Sequence, residues 1–172
     1  TTKLLIAEGR GDQLKENLVK SDRDFFSALK GKNNIITELK FNAPSSGKTK
    51  CTKSISEIIN IYDTYASAIS VLTDQKYFAG KLEFINEVKA HTKLPVLRKD
   101  FITDPYQIYE SRYYGADAIL LIASILSKEE IDEFLKITHS LGMNALVEVR
   151  EEEELAKVLL TQAKIIGINN RN

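Results

Sequence analysis

Short apolar, β-branched runs alternate with longer segments of helical period along most of the chain. No other feature restricts the fold as much. The strand candidates are Asn34–Phe41, Ala68–Asp74, Pro95–Phe101, Ala118–Ser124, Asn144–Arg150 and Lys164–Asn170. Between them, residues 55–65 place Ile55, Ile58, Ile59 and Tyr62 on one helical face, and residues 81–92 do so with Leu82, Ile85 and Val88. Residues 105–114 begin with Asp104-Pro105, an N-cap followed by proline at the first helical position. Residues 128–141 open with Ser127 and Glu130 in capping-box spacing, followed by Ile131, Phe134, Leu135 and Leu141. Residues 151–162 carry Leu155, Val158 and Leu159, with Glu151–Glu154 at the helix end that favours negative charge. Residues 11–31 read as two short helices, with Ser21 capping the second and Gly31 after its end.

Regular alternation of this kind implies parallel strands joined by right-handed crossovers. Helices then cover both faces of the sheet, which explains a strand as uniformly apolar as Ala118–Ser124. A weak internal similarity fits the same scheme. Tyr65-Ala-Ser-Ala-Ile-Ser-Val and Tyr114-Gly-Ala-Asp-Ala-Ile-Leu each lead from a helix end into a strand. An open doubly wound sheet and a (β/α)8 barrel both satisfy the pattern. The open sheet favours a glycine-rich turn after the first strand. Ala43-Pro-Ser-Ser-Gly-Lys48 lacks both the dinucleotide fingerprint and the full phosphate-loop spacing.

Composition enters as exclusion. In 172 residues, 24 Lys+Arg balance 24 Asp+Glu, which removes the electrostatic case for a nucleic-acid or membrane-surface partner. The single cysteine, Cys51, cannot form an internal disulfide and fits a reducing cytoplasm; it has no CxxC partner and reads as a bystander. No apolar run approaches the roughly 18–20 residues of a membrane span, and no signal peptide is evident. His91 and His139 lack a metal-ligand partner at i+4, so no metal is expected. Tyr106, Tyr109, Tyr113 and Tyr114 have helical spacing and read as packing or surface residues.

Polar residues at the strand ends favour the barrel. Glu38 and Lys40 flank Leu39 and therefore share a face, with Ile36 behind them. Lys99 shares a face with Leu97 and Phe101, while Arg98 points the other way, toward a solvated loop or the helical layer. Glu148 sits between Val147 and Val149, and a half-buried carboxylate calls for a nearby cation. Asn169 and Arg171 share a face with Gly167. One charged strand end is ordinarily the start of a loop. Glu38, Lys40, Lys99, Glu148 and Arg171 around one mouth match the arrangement of barrel enzymes, whose sites lie at the C-terminal ends of parallel strands.

On these residues the sequence resembles the indole-3-glycerol phosphate synthase family of tryptophan biosynthesis. The matching stretches are Glu38-Leu-Lys40 with Ala-Pro-Ser-Ser-Gly47, Ala68-Ile-Ser-Val-Leu-Thr-Asp74 with Lys76-Tyr-Phe78, and Leu94-Pro-Val-Leu-Arg-Lys-Asp-Phe-Ile102 with Asp104-Pro-Tyr-Gln-Ile-Tyr109. Gly115-Ala-Asp-Ala, Ala145-Leu-Val-Glu-Val149 and Gly167-Ile-Asn-Asn-Arg171 complete the likeness, which covers nearly everything after about residue 25. The resemblance implies a (β/α)8 TIM barrel with an N-terminal helical extension over residues 1–31. The implied enzyme is a carboxy-lyase closing a pyrrole ring on 1-(2-carboxyphenylamino)-1-deoxyribulose 5-phosphate, with loss of carbon dioxide and water. By the same resemblance Lys99 is the general acid at the ribulose carbonyl, Glu148 handles the proton of the later dehydration, and Glu38 assists. Lys40 and Arg171 would hold the anionic groups of the substrate, with Ser45 beside them and Asn169 fixing orientation. Phe78, Phe101, Leu120 and Leu146 would form the apolar wall, and no cofactor is implied.

Two departures stand out. The loop after Lys40 reads Phe41-Asn42-Ala43-Pro44, where the family commonly has a second basic residue and a serine before the proline; Ala43 removes a hydroxyl that helps bind an anion. The chain also starts at Thr1 without a methionine and stops at Asn172 directly after an apolar run, so both ends read as cut. A TIM barrel needs about 250 residues, and about six of its eight βα units are present. The last two, whose loops form the family's main phosphate site, would follow Asn172. The expectation is therefore a single incomplete barrel domain, residues 1–172, from a monomeric cytoplasmic parent. The isolated piece is expected to be catalytically silent and to self-associate through its open edges. A different phosphate-binding barrel, such as a phosphoribosylanthranilate isomerase, is the alternative enzyme.

Overall fold

The computed structural model describes residues 18–31, 34–40, 42–43, 47–48 and 53–170. Its centre is one parallel sheet of β1 (Ile36–Leu39), β2 (Ala68–Leu72), β3 (Val96–Lys99), β4 (Ala118–Ile122), β5 (Asn144–Val149) and β6 (Ile165–Ile168). Strand order in the sheet follows chain order, and every neighbouring pair is parallel. The helices in sequence are α1 (Phe25–Ala28), α2 (Ile55–Tyr65), α3 (Gln75–Phe78), α4 (Glu83–His91), α5 (Pro105–Tyr113), α6 (Lys128–Ser140) and α7 (Glu152–Leu159). A short antiparallel ladder pairs Asn42–Ala43 with Gly47–Lys48, a stretch with no strand periodicity of its own.

The helices start where their capping chemistry places them. Ser127 accepts from the Glu130 amide while the Glu130 carboxylate receives the Ser127 amide, and Asp104 with Gln107 closes the same reciprocal pair around Pro105. Ser54 and Glu57 do likewise at the start of α2. After α5 the chain turns through Gly115, whose φ of +94° lies in the left-handed region that a side chain disfavours.

Period-two alternation divides the strands between two apolar layers. Ile69, Val71, Val96, Ile119, Leu121, Val147 and Val149 face outward and pack with Ile59, Ile85, Val88, Ile108, Ile131, Phe134 and Leu135 of the helices. Each such side chain contributes about 1.5–3 kcal/mol on burial. The inner face holds a smaller cluster of Ala68, Leu97 and Ala118, sealed by Phe25 and flanked by Ile36, Leu146 and Ile165. Residues from β1 to β5 and from just beyond β6 line a single cavity, so the sheet is curled into part of a barrel.

The base of this curl is tied to the N-terminal segment, in a way that departs from the sequence reading. Asp24 caps α1 through the Ser27 amide, and Ser21 does not cap it. The Ser21 hydroxyl instead donates to Asp117 at 2.7 Å, and the Ser21 amide donates to the Leu141 carbonyl. Arg23 reaches the Leu94 carbonyl at 2.9 Å. Asp117, fully buried, also receives Lys89 on both oxygens and the Val96 amide, with Arg112 at 3.4 Å. Burial pushes the Lys89 amine below its ordinary value, and Asp117 opposes that shift. The first of the two expected N-terminal helices lies outside the described residues.

Candidate active site

At the C-terminal ends of the strands the inner face is polar. Glu38, Lys40, Lys99 and Glu148 line a cavity of about 250 Å³ together with Asn169, Leu72, Asp74, Phe78, Asp100, Phe101, Leu120 and Ile122. Their convergence follows from the pleat. Glu38 pairs in register with Ser70 and Leu72 with Lys99, so inward positions of successive strands stack toward one mouth.

Lys99 Nζ donates to Glu38 Oε2 at 2.5 Å, joining β1 to β3 across the top of β2. Both side chains keep about a third of their surface exposed, at 37% and 31%. Lys40 stands 3.8 Å from the other Glu38 oxygen and 5.8 Å from the centre of the Phe78 ring, so one carboxylate lies between two ammonium groups. On the far wall Asn169 donates its amide to Glu148 Oε1 at 2.9 Å. The sequence calls for a cation near Glu148, and among the described residues this amide bonds the carboxylate. An amide satisfies a half-buried carboxylate without adding charge. Gly167 lies opposite Glu148 in register, and a Cβ there would stand 3.2 Å from Leu146.

The apolar wall comes from three elements. Phe78 ends α3, Phe101 follows β3 and meets Tyr77 edge-on at 6.3 Å, and Leu120 lies on β4. Leu146 is not on the cavity wall; it packs in the inner cluster with Leu97 and Ala118. Ser45 and Arg171 lie outside the described residues, as do Phe41 and Cys51.

Leu72, Asp74, Asp100 and Ile122 line the cavity without having been singled out from sequence. Asp74 caps α3: its carboxylate receives the Tyr77 amide at 2.6 Å and starts the turn that carries Phe78. That turn closes with Ala79 at φ +52° and with Gly80 pressed on β2, where a Cβ would lie 2.4 Å from the Leu72 carbonyl. Arg98 resolves to the helical-layer alternative, bonded to Glu110 and Asp100 and nearly without solvent contact. Among the described residues no group of three His, Cys, Asp or Glu could hold a metal ion, and no helix is long and apolar enough to cross a membrane.

A curled parallel sheet with covering helices, and with lysines, carboxylates and an aromatic wall gathered at the C-terminal strand ends, has the site placement of the α/β-barrel enzymes. The particular family follows from comparison with known proteins. The model of the indole-3-glycerol phosphate synthase family matches residues 6–172, and the chain belongs to that family. It is 48% identical to the indole-3-glycerol phosphate synthase of Petrotoga mobilis, over 93% of this chain and 62% of that protein. Against the enzyme of the same name from Carboxydothermus hydrogenoformans it is 49% identical, over 83% of this chain and 54% of the relative. It is also 49% identical to the tryptophan biosynthesis protein TrpCF of Vibrio cholerae, over 90% of this chain and 33% of that protein. The chain thus spans between a third and about three fifths of the length of these relatives.

Proposed function

We propose that the protein containing this chain is an indole-3-glycerol phosphate synthase. It closes the pyrrole ring of 1-(2-carboxyphenylamino)-1-deoxyribulose 5-phosphate and releases carbon dioxide and water. The observation that carries the reading is the Lys99–Glu38 pair at the mouth of a cavity walled by Phe78, Phe101 and Leu120. In this reading the aromatic ring of the substrate lies against the apolar wall, and the ribulose carbonyl faces Lys99. A proton from Lys99 Nζ reaches the carbonyl oxygen as the ring carbon bearing the carboxylate attacks the carbonyl carbon, so one C–C bond forms while the C=O π bond opens. Loss of carbon dioxide from that ring carbon restores aromaticity. Glu148, held in orientation by Asn169, then gives a proton to the hydroxyl, which leaves as water, while Glu38 takes the proton lost from the adjacent carbon and passes it to Lys99; Glu148 regains its proton from solvent.

Lys40, at the entrance beside Glu38, binds the anionic end of the substrate, joined by Ser45 and Arg171. The six strands form part of an eight-stranded barrel, in a single domain for which residues 1–31 are an N-terminal extension. Support for the extension comes from the bonds of Ser21 and Arg23 across the base of the sheet. The experiment is turnover of the carboxyphenylamino-deoxyribulose phosphate by the whole protein. Lys99→Ala is expected to lose about 10²–10⁴ in kcat, and retention of near-full kcat overturns the assignment.

A further inference from the structure

Directly behind Lys99, on the opposite face of β3, lies a buried polar network that the proposed chemistry does not use. Arg98 is 3% exposed, and all of its guanidinium nitrogens are engaged. Nη1 donates to the Gln107 carbonyl, Glu110 Oε2 and Ser111 Oγ at 3.0, 2.9 and 3.1 Å. Nη2 donates to Asp100 Oδ2 at 2.9 Å, and Nε lies 3.2 Å from Thr73 Oγ1 and 3.3 Å from that same Asp100 oxygen. The Thr73 hydroxyl donates to Asp100 Oδ2 at 2.7 Å, while Asp100 Oδ1 receives the Phe101 amide. The Thr73 backbone amide donates to the Lys99 carbonyl at 3.1 Å. Lys99 is therefore bracketed in sequence by two residues of the network and held through its own carbonyl by a third.

The placement suits positioning better than stability. A buried ion pair returns in attraction little more than its desolvation costs, so apolar residues of similar volume would serve a core equally well. A planar guanidinium with all three nitrogens engaged fixes direction, which apolar packing does not. Network partners come from the residue after β2, the turn after β3 and helix α5; Phe101 lies in that turn, Lys99 directly before it, and Phe78 on the helix α3 that follows β2. The same network accounts for Glu110 and Ser111 being buried polar residues on α5, while the Gln107 side chain accepts from the Thr103 and Asp104 amides and donates to the Phe101 carbonyl.

We propose that Arg98, Asp100 and Thr73 form a positioning network that sets the backbone of β3, and so the direction of Lys99 and Phe101, for the ring-closure reaction. This rests on the function proposed above. The test uses the whole protein and four forms: wild type, Thr73→Val, Thr73→Ser and Arg98→Lys. Thr73→Val keeps the shape and the backbone bond to Lys99 but removes the hydroxyl bridge. It is expected to lower kcat about fivefold with KM within twofold, whereas Thr73→Ser restores wild-type kcat. Arg98→Lys keeps the charge but loses the fork, and is expected to lower kcat at least tenfold at temperatures where circular dichroism shows it folded. If Arg98→Lys does not fold, the Thr73 pair decides. Thr73→Val with kcat within twofold of wild type, or Thr73→Ser impaired as much as Thr73→Val, overturns the proposal while leaving the synthase reading intact. Absence of turnover in the wild type overturns both.

Discussion

The two ends of the sheet handle charge in opposite ways. At the base, Asp117 is fully buried and surrounded by donors from the N-terminal segment, α4, β3 and α5. At the mouth, Glu38 and Lys99 bond each other yet stay about a third exposed. A carboxylate saturated with partners fastens chain segments together. One that keeps solvent contact has capacity left for a bound molecule. The same residue types thus serve cohesion at one end and chemistry at the other, and the inner face carries an apolar layer of Ala68, Leu97, Ala118 and Phe25.

Four substitutions can break or sharpen this division. Lys99→Ala, the largest, should cost two to four orders of magnitude in kcat while leaving the thermal midpoint within a few degrees; a collapse of stability instead would mean that the mouth also holds the fold together. Asp117→Ala should do the reverse, costing about 3–5 kcal/mol because Lys89 and Arg112 lose a buried partner. Urea denaturation measures that loss, with activity at low temperature largely retained. Phe25→Ala opens a hole beneath the same layer and should cost about 3 kcal/mol, read by the same method. At the small end, Ser127→Ala removes the α6 cap for about 1 kcal/mol and touches neither end.

Acid adds a further check on the caps. Hydrogen bonds from Ser54 and Ser127 hold Glu57 and Glu130 below their ordinary value of 4.5. A carboxylate lowered in the folded state stabilises above its ordinary value and loses that effect as pH falls through the folded one. Unfolding midpoints should therefore drop below about pH 4.5, and Glu130→Gln should flatten part of that slope. An unchanged slope would remove the α6 cap from the account.

Much of this was legible because it rests on period and spacing. The strand positions, the Ser127–Glu130 box, the Asp104-Pro105 start and the shared face of Glu38 and Lys40 follow from alternation and capping rules that act over a few residues. What was illegible depends on partners distant in sequence. Ser21 resembles a cap because serine before a helix usually is one, but its hydroxyl answers to Asp117. Arg98 left two readings open, since only the folded chain brings Glu110 beneath it. Helix α3, four residues long, is too short to show a period, and Leu146 fits an inward pattern without revealing how deep it sits. Glu148 called for compensation, yet spacing did not single out the Asn169 amide that bonds it.

The sheet order has a consequence for how the molecule comes into being. Each strand pairs with the one made just before it, so the sheet can extend step by step as the polypeptide leaves the ribosome, without waiting for distant partners. The cavity has no such gradual history. Glu38 belongs to β1 and Asn169 follows β6, so these two walls of the pocket face each other only once β6 has docked. Biosynthesis therefore yields a growing scaffold first, and this cleft only after β6 has joined it.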